Sequence, residues 1–397
     1  MDRRKSLRAL VTALLALGSA SVLSGEGAAM DVLRVYVGTY TRGESRGIYR
    51  FEIDAASGRL LSGPSLAAAS ENPSFLALHP SGKVLYAVNE VRNFHGGKTG
   101  AVSAFAVDPS TGNLSLLDQQ PSEGADPCHL IVDGAGRNLL VANYTGGSVA
   151  LFPLAANGRI QPAASVRRFT GSGPNRARQQ EPHAHAVLLD GAERFLLSAD
   201  LGTDRIHVDR FDGESGRLEP NEADGVALDP GSGPRHLAWH PSGRIVYVLA
   251  ELFCTVTALR WDGARGGLAP LQTVAALHPG YSGDNKAAEI AVAPDGRFVY
   301  VSNRGDDALS VLSADGEGRL AFAGRVPTGG RSPRSFAIDP SGRWLIAANQ
   351  DSGVLVVFRL DPATGLPRAS GTTVAVPEPV AILFSQTRGA GKKESTP

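Results

Sequence analysis

Gly233 to Leu252 reads GPRHLAWHPSGRIVYVLAEL. An apolar run of strand length precedes the His-Pro-Ser-Gly turn, and a second one follows it. Such a turn folds the second run back antiparallel to the first, so the start of one and the end of the other share one end of a hairpin. Arg235 and Glu251 stand at that shared end, an opposite-charge pair placed there by the hairpin itself.

The same frame recurs along the chain. NPSFLALHPSGKVLYAVNE begins at Asn72, DPCHLIVDGAGRNLLVANY at Asp126, and EPHAHAVLLDGAERFLLSADL at Glu181. AAEIAVAPDGRFVYVSNR begins at Ala287 and SPRSFAIDPSGRWLIAANQ at Ser332. Laid on one another, the copies put Pro73, Pro127, Pro182, Pro234, Ala288 and Pro333 in one column, with a period of roughly 45 to 55 residues. That period, with apolar runs of strand length, belongs to propeller blades rather than helical solenoids. Third strands such as GAVSAFAVD and GVLVVFRLD follow each hairpin. Looser fourth strands come after turns such as Thr111-Gly112 and Thr364-Gly365.

Six units are complete. PEPVAILF near the end, with Pro379 in the proline column, reads as the first strand of a seventh. VLRVYVGTYT and GIYRFEID near the start read as its second and third. Joining the two ends in one blade closes the ring and hides the sheet edges. The expected fold is all-β, a seven-bladed propeller over residues 31–388 closed by strands from both ends, and monomeric.

Lys plus Arg and Asp plus Glu are 39 each in 397 residues, so no basic stripe points to nucleic acid. MDRRKSLRAL is basic, and the VTALLALGSASVL that follows is apolar and small. This is the layout of an export signal over residues 1–29, cleaved between Ala20 and Ala29. Arg3 and Arg4 give it a twin-arginine character, although Ser6 stands where an aromatic residue is preferred. The apolar run is too short to remain in a bilayer, so the mature protein is expected to be periplasmic or secreted. Residues 389–397 read as a disordered tail. Cys128 and Cys254 fall in different units and are expected to be unpaired.

The first strand of each blade lines a propeller's channel, so residues just after the proline converge near one mouth. That column reads Ser74, Cys128, His183, Arg235, Glu289, Arg334 and Val380. A second column, ending the second strands, reads Glu90, Tyr144, Leu201, Glu251, Arg304 and Gln350. Arg235, Arg304 and Arg334 outnumber Glu251 and Glu289, which favours a small anionic ligand. His183 and His185 are two apart on a strand. A metal site is one reading of this His-x-His pair, although further ligands at matching spacing are not evident; acid–base chemistry and a structural role are the others. His79 and His240 belong to their His-Pro-Ser-Gly turns. Gly171–Pro174 and Gly231–Pro234 read as flexible loops over the mouth. No nucleophile elbow, phosphate loop or dinucleotide fingerprint is present.

PHAHAV, SADLGTDRI, GSGPRHLAWHPSGRIVYVLAEL, EIAVAPDGRFVYVSNRG, PRSFAIDPSGRWLIAANQ and the early VGTYT together resemble the seven-bladed propeller lactonase family. That family includes propeller-type 6-phosphogluconolactonase and the fungal carboxy-cis,cis-muconate cyclase. The resemblance implies a lactone, sugar or carboxylated, opened by water or closed in reverse, without a cofactor. It carries the site onto His185, Arg235, Glu251 and Arg304, with His183 the less favoured neighbour of His185. From their places in the mouth column, His183, Glu289 and Arg334 are expected to bind the substrate. His185 would activate water with Glu251 orienting it or sharing the proton. Arg235 and Arg304 would stabilise the oxyanion or hold an anionic group. An export signal does not suit a cytosolic sugar phosphate, so the particular lactone stays open. The rival reading is a non-catalytic envelope propeller that binds a ligand or protein partner.

Overall fold

Six strand segments of the chain are buried along their whole length: VLYAVN, NLLVAN, FLLSAD, IVYVLA, FVYVSN and WLIAAN. A strand packed on both faces shows continuous apolar character instead of alternation. Here both faces meet a neighbouring sheet. The computed structural model describes residues 31–386 apart from Asp224. The export segment, the C-terminal tail and the last two residues of the expected domain lie outside the described residues.

Seven antiparallel sheets are present, and no helix occurs among the described residues. Blades 1 to 6 follow the chain. Their inner strands are Leu76–Leu78, Pro127–Val132, Ala184–Leu189, Pro234–Trp239, Ala287–Val292 and Pro333–Ile338. Blade 7 joins Pro379–Gln386, as its inner strand, to Val32–Thr39, Gly47–Asp54 and Leu60–Ala69 from the start of the chain. Each inner strand packs against the next, and that of blade 7 packs against those of blades 6 and 1, so the ring closes.

The blades are also stapled one to the next. Tyr36, Tyr86, Tyr247 and Tyr300 are fully buried. Their hydroxyls donate to the carbonyls of Gly112, Gly158, Gly318 and Gly365 in the following blade, at 2.9, 2.9, 3.1 and 2.8 Å. Gly112 sits at φ 71° against the Arg34 side chain, where a Cβ has neither the backbone geometry nor the room. The turn histidines also reach across. His79 pairs with Ser81 Oγ through Nδ1 and reaches the Gly136 carbonyl of blade 2 through Nε2.

One hydrogen bond repeats in every blade and sets the register of the channel. The residue that follows the second strand donates its N–H to a carbonyl just before the inner strand. The pairs are Tyr40 to Glu378, Glu90 to Asn72, Tyr144 to Asp126, Leu201 to His183, Glu251 to Gly233, Arg304 to Lys286 and Gln350 to Ser332, all between 2.8 and 3.1 Å. In blades 2, 3, 4, 6 and 7 the inner strand slips past its partner two residues after the acceptor: Cys128, His185, Arg235, Arg334 and Val380 each occupy a register shift. In blade 5 the shift takes in Ala288 and Glu289. A bulge of this kind re-aims a side chain. The column at the mouth is therefore Ser74, Cys128, His185, Arg235, Ala288, Arg334 and Val380. This corrects two of the expected positions. Pro182 lies two residues early relative to the other prolines, so His185 replaces His183. In blade 5 Ala287 holds the proline position, so Ala288 replaces Glu289.

Gly231–Pro234 is not a flexible loop. It is buried, and Asp204 accepts from Gly231 N at 2.7 Å and Gly233 N at 2.8 Å.

Truncation after Val376 removes the inner strand of blade 7 and leaves Val32–Thr39 as an open edge beside a broken core. Such a chain should lose cooperative thermal unfolding and elute as aggregate in gel filtration. A monomer with an unchanged melting midpoint contradicts closure as the stabilising device.

Candidate active site

The bulged residues and the second-strand ends meet in a cavity of about 270 Å³. Four cationic side chains line it, Arg178, Lys286, Arg304 and Arg334, against the carboxylates Glu90 and Glu251. Cys128, Tyr144, His185 and Tyr40 complete the wall. Arg235 sits behind it, 2% exposed.

Glu251 organises one side. Its Oε1 accepts from Arg178 Nη2 at 2.8 Å, and its Oε2 pairs with Arg235 Nε at 3.1 Å and Arg304 Nη2 at 3.0 Å. Burial would raise this carboxyl, but Arg304, Arg235 and Arg178 together pull it down to about 2. Arg235 also donates through Nη1 to the Ala288 carbonyl. Burial foremost, then repulsion from Arg304 and Arg334, lowers its guanidinium to about 10. Arg304 is further held by the Lys286 and Ala287 carbonyls at 3.2 and 3.1 Å.

Glu90 organises the other side. It accepts from Tyr40 Oη at 2.9 Å and from Ser74 Oγ. Arg334 lies 5.2 Å over the Tyr40 ring and 4.0 Å from Glu90, a looser pairing than any made to Glu251. Burial opposes its charge, yet Tyr40 and Glu90 raise its proton affinity above the ordinary arginine value.

His185 faces the cavity between these two clusters. Its Nδ1 lies 3.8 Å from Cys128 Sγ, and its ring meets Tyr144 edge-on at 5.4 Å. Nε2 has no partner among the described residues. Burial, then the charge of Arg235, hold the imidazole well below its usual value, so it is neutral at pH 7. Cys128 is buried and unpaired, as is Cys254, and burial pushes the Cys128 thiol up.

The structure therefore gathers His185, Glu251, Arg304 and Arg334 at one mouth, with Arg235 beneath them. It does not bring His183 there: that ring stacks behind Tyr144 at 4.3 Å, with Nδ1 3.0 Å from the Tyr144 carbonyl. Nor does Glu289 reach the mouth. It lines a separate cavity of about 340 Å³ formed by the inner strands of blades 1, 5, 6 and 7. Three mouth residues escaped the sequence reading. Tyr40 is the seventh member of the second-strand column, legible had that column been carried into the split blade. Lys286 precedes the inner strand of blade 5. Arg178 comes from the connection between blades 2 and 3, which no repeat position announces.

The family described as Lactonase, 7-bladed beta-propeller matches residues 34–384, and the chain belongs to it. The 6-phosphogluconolactonase of Bacillus subtilis is 37% identical over 350 residues, covering 88% of this chain and 97% of that one. That of Formosa agariphila is 35% identical over 83% of this chain and 93% of its own. Among solved structures, the periplasmic gluconolactonase of Pseudomonas aeruginosa superposes with a TM-score of 0.82 at 35% identity, covering 89% of this chain and 99% of that one.

Glu251→Ala leaves three guanidiniums without their shared anion and should cost about 3–5 kcal/mol in denaturant unfolding at pH 7. The carboxyl titrates near 2 when folded against 4.5 as its ordinary value. Its contribution is therefore complete above the ordinary value and lost as the pH falls towards the folded one. The stability gap between wild type and Glu251→Ala should narrow between pH 4.5 and pH 2, and a constant gap contradicts the assignment.

Proposed function

We propose that the chain hydrolyses a sugar lactone in the mouth cavity, a gluconolactone with or without a phosphate. The observation that carries the proposal is a neutral imidazole, His185, on the wall of a cation-rich cavity in which one of the two carboxylates, Glu251, is already saturated by three arginines. Both oxygens of Glu251 are engaged by Arg178, Arg235 and Arg304, so it is tied up in ion pairs rather than available as the base. Its role is to hold Arg178, Arg235 and Arg304 in place. His185, with Nε2 free, is the base.

The lactone carbonyl faces Arg304 and Arg334. His185 takes a proton from water as the oxygen attacks the carbonyl carbon. The oxyanion that forms lies among guanidiniums, which stabilise it more than they stabilise the neutral carbonyl. Collapse breaks the ring C–O bond, and His185 returns the proton to the departing ring oxygen, leaving a hydroxy acid. Arg235 is engaged by Glu251 and Ala288 and supports the site by its field from below. Lys286 and Arg178 at the rim hold a phosphate or the product carboxylate.

Export supports the unphosphorylated substrate. The basic and apolar first 29 residues fit it, and the Pseudomonas aeruginosa relative is described as periplasmic.

Gluconolactone and 6-phosphogluconolactone, each corrected for spontaneous opening, distinguish the two substrates. His185→Gln should lower kcat by about 10²–10⁴ on the better one. Arg304→Ala should lower it by about 10² or more. Variants that match wild type, or a wild type inert on both lactones, remove the assignment.

A further inference from the structure

The channel holds polar groups that the proposed reaction leaves unused. One residue beyond the mouth column, His129, His236 and Glu289 stand on the inner strands of blades 2, 4 and 5. His236 Nδ1 lies 2.7 Å from Glu289 Oε1, with the two side chains 6% and 13% exposed. The His236 ring meets that of His185 edge to face, centroids 5.4 Å apart, and that of His129 at 5.3 Å. Glu289 then lines the second cavity beside Phe75 and Ser335. Imidazole, imidazole and carboxylate thus lead from the mouth cavity to the one beyond it.

A purely structural carboxylate in such a place would have a cation of its own. Arg235, the guanidinium that acts on Glu289 most strongly, is committed to Glu251 and to the Ala288 carbonyl. The remaining groups that face Glu289 are His236 from blade 4, His129 from blade 2 and Arg334 from blade 6. Burial, against the pull of Arg235, holds the carboxyl up at about 7, where it takes and releases a proton near neutrality. His236 and His129 are kept neutral, first by burial.

We propose that His236 and Glu289 form a proton path beneath His185, with Glu289 a positioning residue that receives the proton released by each ring opening and returns it to solvent in the second cavity. This rests on His185 as the base. Hydrolysis ends in a hydroxy acid that ionises to a carboxylate and one proton. The acid O–H bond breaks and the proton passes to His185. From there it moves to Nε2 of His236, whose Nδ1 proton goes to the Glu289 carboxylate. Glu289 then releases that proton to water, and His236 regains its tautomer by losing the Nε2 proton to water and taking one up at Nδ1. The 5.4 Å between the rings is closed by a small rotation or one bridging water. Escape through the mouth runs past Arg178, Lys286, Arg304 and Arg334, whose charge opposes a leaving cation.

Glu289→Gln keeps the size and a hydrogen bond to His236 and removes the titrating group. It should lower kcat about tenfold or more with KM within about twofold, at an unchanged melting midpoint. The wild-type rise of kcat through about pH 7 should vanish, and Glu289→Asp should restore part of it. His236→Gln should lose as much as Glu289→Gln, and the double variant no more than either alone. Wild-type kcat and pH profile in Glu289→Gln, beside an inactive His185→Gln, overturn the path and leave the base standing. An active His185→Gln overturns both. A loss in Glu289→Gln that is equal at every pH, with a lowered melting midpoint, marks a structural carboxyl and overturns the path.

Discussion

The N–H that closes each second strand donates to a carbonyl just before the inner strand, and this bond recurs in all seven blades. It fixes where the inner strand slips, and the slip decides which side chain points at the mouth. Its geometry is backbone geometry, indifferent to the side chains it presents. Seven equivalent positions can therefore hold serine, cysteine, histidine, arginine, alanine and valine without disturbing the frame. Chemistry is concentrated on a part of the fold that contributes little to the packing.

Packing is handled further out. Second strands buried on both faces, and tyrosines that reach the next blade, provide stability that does not depend on the mouth. The mouth itself is electrostatically costly. Guanidiniums crowded around one cavity repel one another, and burial takes water from each of them. Glu251 offsets this on one side by serving three arginines at once, while Glu90 holds Tyr40 and Ser74 and leaves Arg334 loosely paired. That asymmetry leaves Arg334 the less firmly paired cation of the cavity. His185, with no carboxylate against it, is neutral at pH 7, and the proposed reaction uses both.

Most of the architecture was legible because its signals are local. Turns of the Pro-Ser-Gly kind, the proline column and continuous apolar runs each depend on a few neighbouring residues. Pro379 and VGTYT betray the split blade for the same reason. The mouth was legible where proline marked the backbone register, which placed Arg235 and Arg334 correctly. It failed at His183 and Glu289, because in blade 3 the proline precedes the accepting carbonyl instead of following it, and in blade 5 Ala287 stands where the proline would be. Arg178 could not be found this way, since its position comes from a connection unique to one gap between blades.

By itself the sequence determined the blade count, the closure by both ends, the membership of the mouth column in most blades and the pairing of Arg235 with Glu251. All of these follow from periodicity and hairpin geometry, which are short-range. Only the tertiary structure decided that Glu251 is shared among three arginines, that His183 stands behind Tyr144, and that Glu289 belongs to a second cavity beneath the first. Those outcomes depend on distances between different blades, and such distances exist only once the ring has closed.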